Sequence, residues 1–317
     1  MQRAITDFGA DGPFAGASAK LKEHYGIDIA ASVVRAVTEK HGAAMLAMEK
    51  QGSDWPEQAG VAVLITEMDG SQVPTVETAT PAESVAETAP IDRRKTRKLS
   101  WTEARLCLVH PPGSVTPIFG ATMGSVDDAG DRLWECAIAA GAGSKTTFHG
   151  LGDGAPWITN QIDAKFGAQA KYLIDFYHLC EYLSGAAAVV AAGQDTDAWM
   201  EEKKNWLKDN RWPDVLETLR SFLEPESVPD EQAPVRACHR YISNRTDCLD
   251  YKGALAAGLP IGSGEIESAH RYVIQVRIKI AGAWWKTENL SKMLALRVVR
   301  VNRRWQDYWS TLDQKAA

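Results

Sequence analysis

"TTFHGLGDGAPWITNQIDAKFGAQAKYLIDFYH", residues 146–178, decides the fold. A short β-branched and aromatic run ends in Gly-Asp-Gly. Pro156 then opens a helical stretch that closes at Gly167, with proline near the first turn and glycine just past the end. "AKYLIDFYH" follows as a further strand. Strand, helix, strand within so short a stretch is the signature of a parallel crossover. Asp153 sits between two glycines, which suits both a tight turn and a carboxylate left bare at a strand tip to bind a metal.

Working outward, "VAVLITEMDG" at 61–70 reads as a strand ending in an Asp-Gly turn. "ARLCLVH" and "TPIFGATMGSV" read as two more, joined by the Pro-Pro-Gly turn at 111–113. "DDAGDRLWECAIAAGAG" reads as a helix whose acidic first turn complements the helix dipole. From 61 to 178 the order is therefore β, β, β, α, β, α, β. Three leading strands suit an antiparallel meander, and the later ones suit parallel crossovers. The expected architecture is α/β: a ribonuclease-H-like mixed five-stranded sheet with flanking helices, an all-α insertion and an N-terminal helical segment.

Four regions are expected. Residues 1–55 are helical, and "SAKLKEHYG" followed by "IDIAASVVRAVTEKHG" has the outline of a helix-turn-helix DNA-binding segment. Residues 61–178 form the first part of the catalytic domain, interrupted at 77–98 by an Ala/Thr/Glu/Pro-rich loop that ends in the basic run "DRRKTRK". Residues 179–258 form the all-α insertion. Residues 259–317 are helices that complete the catalytic domain, the first expected to run through "GSGEIESAHRYVIQVRIKIAGAWW".

The bulk composition sets limits. With 45% apolar residues among 317, the chain can build a sizeable core. Its net charge of −6 means that any nucleic-acid surface must be local and must act against the overall field. The five cysteines form no Cys-x-x-Cys pair, so neither a zinc ribbon nor a disulfide frame is expected. No apolar stretch is long enough to span a bilayer. A cytoplasmic, nucleoid-associated protein is expected.

The chemistry lies in the acids. Asp69 closes the first expected strand and Asp153 the fourth, and in a ribonuclease-H-like sheet those strands are neighbours. A third carboxylate comes from the late helix, Glu265 or Glu267. These two residues lie on opposite flanks of an apolar stripe of Ile266, Val273, Val276 and Ile280, so helical periodicity does not choose between them. Three convergent carboxylates suit two hard cations, Mg²⁺ or Mn²⁺. Such a pair, roughly 4 Å apart, stabilises the attacking and leaving oxygens of a phosphodiester displacement. Basic residues follow the third acid: Arg271, Arg277, Lys279 and Lys286, interleaved with Trp284 and Trp285. Basic plus aromatic suits phosphate contact and base stacking. Arg93, Arg94 and Lys95 in the loop are a second candidate for the DNA backbone.

"EMDGS", "FGATMGSVDDAGD", "GLGDGAPWI", "YLIDFYHLCEYL" and "PIGSGEIESAHRYVIQVRIKIAGAWW" together resemble the ISKra-type insertion-sequence transposases of the DDE class, over about residues 61–309. The resemblance implies a ribonuclease-H-like catalytic domain that cuts transposon ends and joins them to target double-stranded DNA with divalent metal. It implies Asp69, Asp153 and Glu267 as metal-binding catalytic acids, with Glu265 in reserve, and a homodimer or higher oligomer to hold two ends. Asp175 and His178 resemble a Cys/Asp-x-x-His element of hAT- and Mutator-type relatives, which implies a role in positioning the substrate. Two alternatives stand beside it. One is a transposase remnant that binds DNA without cutting it. The other is a haloacid-dehalogenase-type phosphatase, suggested by "EMDGS"; here Glu67 stands where the nucleophilic aspartate belongs.

Overall fold

The computed structural model describes residues 1–49, 52–78 and 97–316. Its centre is a five-stranded sheet in the order β3-β2-β1-β4-β5. The strands are β1 (Val63–Thr78), β2 (Arg97–His110), β3 (Ile118–Thr122), β4 (Thr147–Gly152) and β5 (Ala170–Ile174). β1, β2 and β3 are antiparallel neighbours, whereas β4 runs parallel to β1 and β5 parallel to β4. Meander first and crossovers afterwards is the expected ribonuclease-H-like arrangement.

Alternation along β1 separates two faces. Leu64 and Met68 point to a layer with Cys107, Phe148 and two helices, α4 (Val126–Ala139) and α5 (Pro156–Phe166). Ser125 starts α4 with a reciprocal capping box to Asp128. Ile65, Glu67, Asp69, Ser71 and Val73 have the opposite parity. On that face Ile65, Leu151 and Leu173 pack against the insertion, α6 (Phe176–Val190), α7 (Thr196–Lys208), α8 (Trp212–Arg220), α9 (Pro234–Ser243) and α10 (Tyr251–Ala256). Beside it, Val73, Leu106 and Leu108 pack against the late helices. These begin with one helical run, α11 (Gly264–Ala269), a π-helical turn (His270–Gln275) and α12 (Val276–Ile278), and continue as α13 (Thr287–Val301) and α14 (Trp305–Ala316).

Three helices precede the sheet: α1 (Gln2–Asp11), α2 (Phe14–Tyr25) and α3 (Ala31–Ala47). α2 ends at Gly26, which is left-handed at φ 65° and gives its N–H to Lys22. α3 buries Val34, Thr38, His41, Gly42 and Met45.

Three local expectations need correction. β1 does not end at Asp69; it pairs with β2 through Thr78↔Arg97, while its pairing with β4 stops at Glu67↔Leu151. The β-rich composition of "SQVPTVET" lets the hairpin outrun the sheet, so the expected loop loses residues 77–78 and 97–98 to strands, and 79–96 lie outside the described residues. β5 ends at Ile174, because Asp175 caps α6. The helix expected through Trp285 ends at Ile278. Trp285 instead bridges the free edge of β1, taking Val76 N–H on its carbonyl at 2.8 Å and giving its own N–H to Pro74 O at 3.2 Å.

Candidate active site

β1 carries two carboxylates on the face crossed by α11. Glu67 is 1% exposed, and its Oε2 accepts the Ile266 N–H at 2.8 Å. Burial pushes its carboxyl up to about 8; the Ile266 N–H pulls the other way, and the charges of Glu265, Asp175 and Glu267 push it further up. Glu67 was not among the expected site residues. Its signal was parity: it lies two residues before Asp69, on the same face of β1.

Asp69 lies just past the point where β4 leaves β1. Its Oδ1 accepts the Gly70 N–H at 2.7 Å, and its Oδ2 lies 3.0 Å from Nε2 of His270. His270 is buried and opens the π-helical turn, a form of winding that often occurs at functional sites. Two residues further along β1, Ser71 Oγ lies 2.7 Å from Nζ of Lys279. Burial lowers the Lys279 pKa and the Asp69 charge works against that. Lys279, expected to meet DNA, therefore lies beside the first acid.

The late-helix glutamates separate. Glu265 is half-exposed, with Oε2 3.1 Å from Nε2 of His110 at the end of β2. Glu267 is exposed, and its side chain makes no hydrogen bond or ion pair among the described residues. Both charges reach Glu67.

Asp153 follows β4, as expected, two residues past the last β1–β4 pair, just as Asp69 does on β1. Its side chain is used locally: Oδ1 accepts the Ala155 N–H at 2.8 Å, which closes the turn through Gly154 at φ 81°. Its carbonyl takes the Tyr241 hydroxyl at 2.6 Å. Its charge raises the Tyr172 and Tyr241 pKa values, although burial is the larger cause for both. The carboxylate whose charge reaches Glu67 from the end of β5 is Asp175.

Asp175 is fully engaged. Oδ1 takes the Tyr177 and His178 N–H groups at 2.6 and 2.9 Å, and Oδ2 takes the Ser263 N–H and Oγ–H at 2.6 and 2.5 Å. It thereby fastens the "GSG" lead-in of α11 to α6. Asp175 stands at the tip of β5, but both of its oxygens are occupied by the fold, and His178 lies one turn into α6. His178 packs edge-on to Tyr182 and lies 3.4 Å from Glu181.

The cations divide as well. Arg271 is exposed on the π-helical turn, and Lys286 is exposed where α13 starts. Arg277 is not on an outward surface: it is 2% exposed, between the rings of Phe14 and Trp285 at 4.6 and 4.7 Å. The N-terminal helices cover it, and those contacts are invisible to helical periodicity. Arg93, Arg94 and Lys95 lie outside the described residues.

The donor chemistry fits a hard cation. Mutually repelling carboxylates surround Glu67, and a divalent ion would relieve that repulsion. Closure does not fit: among the described residues no three histidine, cysteine, aspartate or glutamate side chains converge to hold a metal ion.

Fold and site together define a class, an α/β protein with a ribonuclease-H-like sheet and acidic side chains where a late helix crosses β1. The chain belongs to the uncharacterised protein family UPF0236, whose family model matches residues 144–308, just over half of its length. That span runs from β4 to α14 and includes Asp153, Asp175 and Glu267. No curated protein matches the chain. Among the described residues no helix is long and apolar enough to cross a membrane.

Proposed function

We propose that this chain is a DNA transposase of the ISKra type, which cuts the ends of a mobile element and joins them to target DNA by phosphoryl transfer. One observation carries the proposal: Glu265 and Glu267 lie on a helix whose backbone is tied to β1 at Glu67, beside Asp69. The order of strands and the sequence motifs agree with it.

In this proposal Asp69 and Glu267 are the acids nearest the scissile phosphate, and Asp153 joins them once its turn opens. Mg²⁺ would supply charge neutralisation to the developing phosphorane. Lys279, held on Ser71 next to Asp69, offsets negative charge as a phosphate approaches. Nε2 of His270 lies 3.0 Å from the Asp69 carboxylate on its buried side. Double-stranded DNA is the substrate, and a dimer would bring two ends together.

The test is strand cutting and joining on a labelled terminal-repeat duplex with Mg²⁺ or Mn²⁺. Asp69→Asn is expected to lower cutting by at least roughly 10³-fold and leave DNA binding intact. Full cutting by that variant would overturn the assignment. The local use of Asp153 favours a second reading, a relative that binds DNA but does not cut it; wild-type binding without any cutting is its signature.

A further inference from the structure

A cleft of about 990 Å³ lies away from the acids, between α2, α3, the far end of the β1–β2 hairpin and the segment that leads into α13. Arg35, Arg97, Lys286 and Lys292 line it with Arg277, against two acids among the described residues, Glu39 and Glu288. In a chain of net charge −6 this is a local excess of positive charge.

Arg277 distinguishes the cleft from a solvated basic face. Its Nε donates to Gly9 O at 3.0 Å, but its Nη2 is buried and has no hydrogen-bond partner. A buried donor without an acceptor costs about 1–3 kcal/mol. The planar guanidinium fork matches a phosphate, and the Phe14 and Trp285 rings flank it at 4.6 and 4.7 Å. On the rim, Trp284 is 39% and Trp101 61% exposed, and their rings meet edge-on at 6.0 Å. Exposed aromatic rings beside cations suit sugar and base faces.

We propose that this cleft is a second DNA-backbone site. Arg277 donates to a phosphate at its floor, and Arg35, Arg97, Lys286 and Lys292 neutralise the neighbouring ones. Val76 lines the cleft, seven residues along β1 from Asp69. At ~3.3 Å per residue this is about 23 Å, or about seven base pairs of duplex at ~3.4 Å each. The site would grip the duplex about that far from the point of cutting. The choice of DNA as ligand rests on the proposed function; the anionic, phosphate-bearing character of the ligand rests on the cleft alone.

The test is fluorescence anisotropy of the full chain with a labelled duplex of about 30 base pairs over a salt series. Arg35→Ala/Lys286→Ala is expected to bind about tenfold more weakly, with the salt slope reduced by about two. Arg277→Lys, which keeps the charge and loses the fork, is expected to bind several-fold more weakly with an unchanged far-ultraviolet circular dichroism spectrum. Lys252→Ala on the insertion is the control and should bind as wild type. Cleft variants that bind like wild type, or a control that weakens equally, overturn the cleft. Loss of cutting in Asp69→Asn alongside unaffected cleft variants would sink the cleft and leave the transposase. Absent cutting alongside weakened cleft variants would do the reverse.

Discussion

Glu67 is the residue where burial and chemistry conflict most. A carboxyl that is 1% exposed and surrounded by Glu265, Asp175 and Glu267 holds its proton up to a pH of about 8. The ordinary value is 4.5, so the folded-state pKa is raised. The stability this gives is complete below the unfolded pKa and is lost as pH rises through the folded one. Metal-free chain should therefore lose stability between pH 5 and 8. Glu67→Gln keeps an acceptor for the Ile266 N–H and has no proton to lose. Its stability relative to wild type is expected to rise by on the order of 1–3 kcal/mol across that window, measured by urea denaturation at both ends. Equal pH slopes for the two proteins would refute this. Residue-scale reading was right for local geometry at Asp153, which follows β4 and closes a turn before a glycine, whereas β1 runs on through Asp69. The same reading failed for Glu67, whose importance comes from a helix that begins almost two hundred residues later.

At the scale of elements, close crossings decide which glycines matter. A Cβ on Gly42 of α3 would lie 2.6 Å from the Lys292 carbonyl of α13, and backbone cannot yield easily. Gly16 in α2 has open space around its Cβ position. In a helix interior alanine is favoured over glycine by ~0.5–1 kcal/mol. Gly16→Ala is thus expected to stabilise by about that amount. Gly42→Ala should destabilise by ~1–3 kcal/mol through forced separation of the helices. Thermal denaturation of both variants checks the opposite signs, and a stabilised Gly42→Ala would show that the crossing relaxes freely. Neither sign is legible in the sequence, where both glycines are helix-weakening residues in helical stretches. The acidic first turn of α4 and the Pro156–Gly167 bounds of α5 were legible, because helix ends are local chemistry.

Across the whole molecule, the N-terminal helices are joined to the last two, α13 and α14. Arg297 Nη1 bonds Asp11 at 2.7 Å, and Arg300 reaches both Asp7 and Asp11. His41 of α3 lies 2.7 Å from the Tyr308 hydroxyl, and Met45, Leu296 and Trp309 share one apolar cluster. Asp11→Ala would remove the carboxylate facing the Arg297 guanidinium, whose side chain is 7% exposed and would keep the Tyr272 and Ala10 carbonyls. Because Asp11 is itself half-exposed, the expected cost is about 1–2 kcal/mol, below that of a fully buried pair. Chemical denaturation should show this as one shifted transition. A variant as stable as wild type would mean that water replaces the carboxylate.

The order of strands was determined by the sequence alone. The apolar, β-branched run of "VAVLITEMDG", the Pro-Pro-Gly turn and the strand–helix–strand stretch at 146–178 each act over a few residues, and the right-handed crossover rule leaves few ways to assemble them. Only the tertiary structure decided where the charges went. It tied Asp175 into the fold by four hydrogen bonds, directed Asp153 into its own turn, buried Arg277 beneath the N-terminal helices and brought Glu67 under α11. The physical reason is range. Turns, caps and periodicity depend on neighbours along the chain. The surroundings of a buried charge depend on segments distant in sequence, and only packing brings those together.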